Sequence, residues 1–90
     1  MISVIIPIFN EEENISNLYN SIIEALTEID FEVLFINDGS SDNSEKEILK
    51  ITLADSRIKL INLRRNYGQT AAMQAGFDKS KGTIVIPMDG

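Results

Sequence analysis

The amino-acid sequence predicts an α/β fold: three layers, αβα, around a parallel sheet, in the order β-α-β-α-β-α-β. Three observations predict it. Strand-like and helix-like stretches alternate along the whole chain. The first strand-like stretch, ISVIIPIF (2–9), is a near-continuous apolar run, the pattern of a strand buried on both faces. The intervening stretches are long enough for helical crossovers, which join parallel strands with right-handed connections and put helices on both faces of the sheet.

After the first strand, Ile15, Leu18, Tyr19, Ile22, Ile23, Leu26 and Ile29 recur at helical spacing and define one face of a first helix. Asn10 with Glu13 forms a capping-box pattern, and carboxylates in the first turn suit the helix dipole. FEVLFIN (31–37) is the second strand. A second helix follows, capped by Ser44 with Glu47 or by Asp42 with Glu45, its apolar face carrying Ile48, Leu49, Thr52 and Leu53. RIKLINL (57–63) is a third, more amphipathic strand. A third helix covers roughly 69–80, with Ala72, Met73, Gly76 and Phe77 on one face. Gly76 suits close packing on the sheet, and Lys79, Lys81 and Gly82 mark the helix end. TIVIPM (83–88) is the fourth strand. Without a helix after it, one face of this strand lacks the cover a parallel sheet needs, so 1–90 reads as the front part of something longer.

Ninety residues bound the chain to one domain, and 43% apolar residues argue for a globular one. The net charge of −6 argues against a general nucleic-acid or membrane-surface binder. The chain has neither Cys nor His. That excludes disulfides, thiol nucleophiles, Cys/His zinc sites and imidazole bases. Any metal must be held by oxygen ligands, which suits magnesium, manganese or calcium. No apolar run approaches the length of a membrane span, and the segment reads as soluble and cytoplasmic. With the outer face of the last strand bare, marginal stability or self-association through apolar surface is expected.

Ligands of open parallel sheets bind beyond the carboxyl ends of the strands, where the strand order reverses. Those ends are Pro7 to Glu11, Asn37 to Asp42, Arg64 to Gln69, and Asp89-Gly90. All four are polar and three carry acids, so their convergence on one edge is a site hypothesis. Neither a G-x-x-x-x-G-K-[ST] loop nor a G-x-G-x-x-G turn is present. Glu11, Glu12 and Glu13 neutralise the dipole of the first helix and repel phosphate there. Phosphates must be held elsewhere, by a metal or by basic residues, and Arg64, Arg65 and Asp89 are the available parts. A calcium-loop reading of DGSSDNSEKE fails, because Ser40 and Asn43 stand where that loop needs an acid or amide and a glycine.

VIIPIFNEEENI, INDGSSDNS, LRRNYGQTAAMQAGF and MDG, in that order, resemble the successive motifs of family 2 glycosyltransferases with the GT-A fold. The resemblance spans the whole chain and is nearest to the polyprenyl-phosphate, dolichol-phosphate-mannose-synthase-like branch. It implies that 1–90 is the N-terminal, nucleotide-sugar-binding half of a GT-A domain, cut within an Asp-x-Asp motif. Asp89 and Gly90 match the first two positions of that motif. Asp89 is then a ligand of the Mg2+ or Mn2+ ion that bridges the donor diphosphate.

The resemblance also implies that Pro7, Phe9 and Glu11 line the nucleoside pocket. Phe9 stands where the family often has a tyrosine, keeping the ring face and losing the hydroxyl. Ile36 and Asp38 match positions that contact the base, with Asp38 accepting the imide N–H of uracil or N–H groups of guanine. Gly68 and Gln69 open the third helix facing the nucleotide. Arg64 and Arg65 support the diphosphate or contact a lipid phosphate. Plainer readings stand beside these: Phe9 as a hydrophobic staple, Glu11 as a first-turn helix residue, Asp38 as an Asx turn with Gly39, and both arginines as solvated loop charges. Asp42 is read as a cap or turn residue.

The implied function is transfer of a sugar from a nucleotide-diphosphate donor to a polyprenyl phosphate. A UDP-sugar is favoured, with GDP-mannose as the other option. The reaction belongs to the cytoplasmic membrane face and to a longer protein anchored downstream, and residues 1–90 alone are expected to be inactive. One alternative is a family 2 transferase acting on a polysaccharide or another acceptor. Another, from a different class, is a non-catalytic nucleotide-binding or receiver-like module; Glu11 to Glu13 could mimic its acidic cluster, but its strand-tip lysine is absent. No nucleic-acid partner is expected.

Overall fold

The β-branched runs assemble into one parallel sheet. The computed structural model describes residues 1–88. In chain order they form β1 (Ile2–Ile8), α1 (Ile15–Ala25), β2 (Phe31–Asn37), α2 (Ser44–Ala54), β3 (Ile58–Asn62), α3 (Gln69–Lys79) and β4 (Ile84–Pro87). The strand order is β3-β2-β1-β4, and every pair is parallel. The chain winds outward from β1 to β3, and α3 then carries it back to β4 on the other side of β1. The order therefore reverses at β1, and the carboxyl end of that strand is the place where such sheets hold ligands. Every residue of β2 is buried, as a central strand of a covered sheet requires.

Alternation along the strands divides the core in two. Val4, Ile6, Ile8, Val33 and Phe35 pack with Ile15 and Ile22 of α1 and Ile48 of α2. On the opposite face, Ile5, Leu34 and Ile36 pack with Ala72 of α3. Gly76 brings α3 close to the sheet, because a Cβ there would collide with the side chain of Ile5. At the β4 edge Ile84 and Ile86 remain exposed, in keeping with a last strand whose cover is incomplete. No described helix is long and apolar enough to cross a membrane.

Four expectations about the helices are corrected. The Asn10–Glu13 capping box does not form. Asn10 adopts a positive φ of 52°, and its Oδ1 accepts the backbone N–H groups of Ser41 (2.8 Å) and Asp42 (3.3 Å). The helix starts five residues later, at Ile15, after a turn closed by the Asn14 N–H donating to the Glu11 carbonyl at 2.9 Å. It also stops before Ile29, which is exposed; the Thr27 hydroxyl donates back to the Ile23 carbonyl at 3.0 Å, and Glu28 takes a φ of 68°.

The core-facing side of α2 is rotated from the expected Ile48, Leu49, Thr52 and Leu53. Ser44 is fully buried; its Oγ accepts the Glu11 N–H at 2.9 Å and donates to Asp42 Oδ1 at 2.6 Å. With Ser44 pinned inward, the same face continues through Ile48 and Ile51 at i+4 and i+7, and Leu49 and Leu53 turn outward. Neither suggested capping pair forms. Asp42 instead accepts the Ser44 N–H at 2.9 Å and the Glu12 N–H at 3.2 Å. Burial acts to raise the Asp42 carboxyl, but the hydrogen bonds from Ser44 and Glu12 outweigh it and hold the group below its ordinary value.

A polar anchor lies at the opposite end of the sheet. Glu32, 2% exposed, accepts the Ser3 hydroxyl at 2.6 Å and the Lys81 N–H at 2.7 Å, while Lys59 Nζ donates at 3.4 Å. Ser3 Oγ in turn accepts the Gly82 N–H at 2.8 Å. The connection from α3 to β4 is thus tied to the first two strands. Burial would raise the Glu32 carboxyl, but these hydrogen bonds and the Lys59 charge prevail and hold it below the ordinary carboxylate range.

Candidate functional site

The carboxyl ends of β1, β2 and β3 enclose a cleft of about 400 Å3. Pro7, Phe9 and Glu11 line it from β1 and the turn beyond. Asp38 lines it from β2, and Asn66, Gly68 and Gln69 from the loop before α3 and its first residue. Six of these seven are residues that the sequence assigns to the nucleotide. Pro7 lies on the same side of β1 as Ile5, so strand alternation aims it at the α3 face and into the cleft. Phe9 is 46% exposed, so its ring is a wall of the cleft rather than a staple in the core. Glu11 precedes α1 by four residues and is not part of its first turn; its Oε2 accepts the Asn14 side-chain amide at 2.8 Å.

Asp38 is 4% exposed. Its Oδ1 accepts the N–H of Tyr67 at 2.8 Å and its Oδ2 that of Gly68 at 3.0 Å. The carboxylate therefore grips the loop after β3 instead of closing an Asx turn with Gly39. The turn role falls to Asn37, whose Oδ1 accepts the Ser40 N–H at 3.2 Å. Gly39 completes the grip: its φ is 72°, and a Cβ on it would collide with the Arg65 carbonyl carbon and the Asn66 nitrogen. The two tip loops are in backbone contact there, a fit that no side chain allows. Gly68, at φ 99°, then turns the chain into α3.

Two groups of sequence-assigned residues are not brought into the cleft wall. Ile36 is 0% exposed and packs in the cluster beneath α3, so its side chain is not among those that line the cleft. Arg64 and Arg65 are exposed outside the wall, and the Arg65 guanidinium sits over the Tyr67 ring at 4.9 Å. Asn66 is the lining residue that sequence reasoning passed over in favour of the neighbouring arginines. Its only signal was its place between Arg65 and Gly68.

The cleft chemistry follows from its lining. Two carboxylates, one aromatic face and no cation suit a ligand that presents N–H or O–H donors and a planar ring. The same lining disfavours phosphate. Among the described residues, no three carboxylates or other metal-ligating side chains converge. Asp89, the expected metal ligand, lies outside the described residues, as does its neighbour Gly90. The described residues therefore do not by themselves form a metal site.

Comparison with known proteins agrees with this geometry. The model of glycosyl transferase family 2 matches residues 3–90. The chain is 38% identical over 91 residues to the undecaprenyl-phosphate 4-deoxy-4-formamido-L-arabinose transferase of Proteus mirabilis, covering 98% of this chain and 28% of that protein. It is 39% identical over 90 residues to the bactoprenol glucosyl transferase of Shigella phage SfX, covering 98% and 30%. The chain thus spans less than a third of the length of these relatives. Among solved structures, the mannosyltransferase PcManGT of Pyrobaculum calidifontis, in complex with GDP-Man and Mn2+, superposes with a TM-score of 0.88. At 20% identity, covering 98% of this chain and 26% of that one, it shows a shared fold. Glucosyl-3-phosphoglycerate synthase of Mycobacterium tuberculosis, with Mn2+, UDP and glucosyl-3-phosphoglycerate, superposes with a TM-score of 0.74 at 26% identity, covering 99% and 33%. The parallel sheet, the cleft at its switch point and the family match over nearly every residue lead to one conclusion: this chain belongs to glycosyl transferase family 2 and carries part of its GT-A fold.

Proposed function

We propose that the cleft binds the nucleoside of a nucleotide-diphosphate sugar, and that the longer protein transfers the sugar to a polyprenyl phosphate at the cytoplasmic membrane face. The observation that carries this reading is the lining: Asp38 and Glu11 as acceptors, Phe9 as a ring face, and no cation among the lining residues. Asp38 has lone pairs beyond the two used on Tyr67 and Gly68, enough to take a base N–H. Glu11 is suited to ribose hydroxyls, and Phe9 to the base or ribose face. Asp38 can take the uracil imide N–H or the N–H groups of guanine. A UDP-sugar is favoured over GDP-mannose because the RNYGQ segment, residues 65–69, resembles bacterial lipid-phosphate transferases that use UDP donors.

The diphosphate belongs outside this acidic wall. The first turn of α3 carries no carboxylate, unlike the approach to α1, which leaves that helix N-terminus the better neighbour for negative charge. Asp89 is assigned to a divalent cation, Mg2+ or Mn2+, which would supply charge neutralisation of the leaving diphosphate; the Mn2+ complexes of the structural neighbours support this. Transfer is substitution at the anomeric carbon. An acceptor phosphate oxygen forms the new C–O bond as the bond to the nucleoside diphosphate breaks. Because that oxygen is already anionic, no general base is required. The names of the two relatives, one acting on undecaprenyl phosphate and one on bactoprenol, support a lipid-phosphate acceptor.

The test is a titration with UDP and, separately, GDP, each with magnesium, followed by amide shifts of labelled protein. Shifts should cluster at 7–11, 36–40 and 66–69 and be larger for UDP. Shifts scattered elsewhere, or an equal response to inorganic diphosphate, would sink the nucleoside assignment.

A further inference from the structure

The net charge of −6 hides a segregation. No Lys or Arg precedes Lys46, so all eight basic side chains lie in the second half, against only Glu47, Asp55, Asp78 and Asp89 among the fourteen acids. Of the ten acids of the first half, Glu11, Glu12, Glu13, Glu24, Glu28 and Asp30 sit on α1 and its flanking turns, whereas Glu45 opens α2 and Glu32 is buried beside Lys59. A net negative charge argues against an anionic partner only where the two signs are mixed.

The lysines gather on one side of the molecule. An open groove along the free edge of β3 brings Lys59, Lys79 and Lys81 together, with Leu49 of α2 on its other flank. On the outer face of α2, Lys46, Leu49, Lys50 and Leu53 fall at i, i+3, i+4 and i+7, a single stripe. Leu53 is 89% exposed and Leu49 46%. Two lysines have partners, Lys50 with Glu47 at 2.7 Å and Lys59 with Glu32 at 3.4 Å, yet their side chains stay 64% and 45% exposed. The packed core side of α2 holds Ile48 and Ile51, so its outer face offers two exposed leucines flanked by lysines, which supply an apolar and an electrostatic contribution to contact with an anionic lipid surface.

We propose that this face, the outer side of α2 with the β3 edge, rests on the surface of an anionic lipid bilayer. Leu53 and Leu49 enter the headgroup region, and the lysines meet lipid phosphates. The contact is independent of what the cleft binds, because the face shares no residue with it.

The chain contains no Trp, so Leu53→Trp gives a single fluorophore at the centre of the face, and Ile84→Trp gives one at the exposed β4 edge. Both variants are mixed with phosphatidylcholine vesicles and with vesicles that also contain phosphatidylglycerol. Emission of Leu53→Trp should shift to the blue with the anionic vesicles alone, and Ile84→Trp should not respond. Adding Lys46→Glu and Lys50→Glu to Leu53→Trp should weaken partition roughly tenfold or more. Should that triple variant lose its far-UV circular dichroism, Lys46→Gln in the Leu53→Trp background replaces it, with a smaller loss expected. A blue shift of Ile84→Trp in place of Leu53→Trp, or an equal response to neutral vesicles, would overturn the proposal. So would salt-sensitive co-sedimentation with no blue shift at Leu53→Trp, which would mark the face as a purely ionic surface for an acidic macromolecule.

Discussion

Replacing Asp38 with Asn tests whether a carboxylate holds the loop that forms one wall of the cleft. Both oxygens of this nearly buried residue accept backbone N–H groups, from Tyr67 at 2.8 Å and from Gly68 at 3.0 Å. Bonds to a charged acceptor each contribute about 1.5–3 kcal/mol. Asn keeps the shape and one acceptor oxygen, but sets its own N–H2 against the second donor. One bond is lost with a buried N–H left unpaired, and the other falls to the neutral value of about 1 kcal/mol. The combined cost is about 3 kcal/mol, a large share of the roughly 5–13 kcal/mol that a chain of this length is expected to have. The melting temperature should fall by about 12–24 °C. Urea unfolding followed by circular dichroism measures the loss, and the amide resonances of Tyr67 and Gly68 report the loop itself. A loss below about 0.5 kcal/mol, with those two amides unmoved, would refute the assignment of Asp38 as the grip on the loop.

Two further predictions concern the frame. Gly39→Ala must place a Cβ at positive φ and against the backbone of Arg65 and Asn66. It should cost about 3 kcal/mol and weaken the response to UDP, because the loop has to move; an unchanged urea midpoint would contradict the contact. The second concerns acid stability. Glu32 has a folded pKa below its unfolded one, so its contribution is complete above the unfolded value and is lost as the pH falls through the folded value. Asp55 acts with the same sign, held down first by its hydrogen bond from Arg57. Stability should therefore fall on the acid side of the ordinary carboxylate range, and Glu32→Gln should flatten part of that fall while costing about 2 kcal/mol at neutral pH. Parallel stability curves for the two proteins would show that Glu32 takes no part.

Much of the frame was legible because its signals are local. Phe31 to Asn37 was bounded to the residue by the run FEVLFIN, and all seven elements follow from switches between strand-like and helical apolar patterns. The cleft was legible for a related reason: in a parallel sheet every βα turn arrives at the same edge, so Pro7, Phe9, Glu11, Asp38, Gly68 and Gln69 had to come near one another. The errors have the opposite origin. The capping box at Asn10 failed because that side chain is claimed by Ser41 and Asp42, about thirty residues on. The face of α2 was misjudged because Ser44, a polar residue, is the one held inward by Glu11. Glu32 drew no notice inside an apolar run, since the donors that make its burial tolerable come from Ser3, Lys59 and Lys81.

The sequence by itself determined the element order, the parallel sheet, the polar edge at the strand tips and the family, since each rests on periodicity or on short motifs read within one segment. Only the tertiary structure decided what those polar groups do. It buried Ile36, turned Arg65 onto Tyr67, gave Asp38 the backbone of another loop to hold, and gathered the lysines beside two exposed leucines on the β3 side. The reason is physical. Periodicity reports which way a side chain points from its own element, whereas the fate of a charge or a hydrogen bond depends on which distant residue the fold sets opposite it.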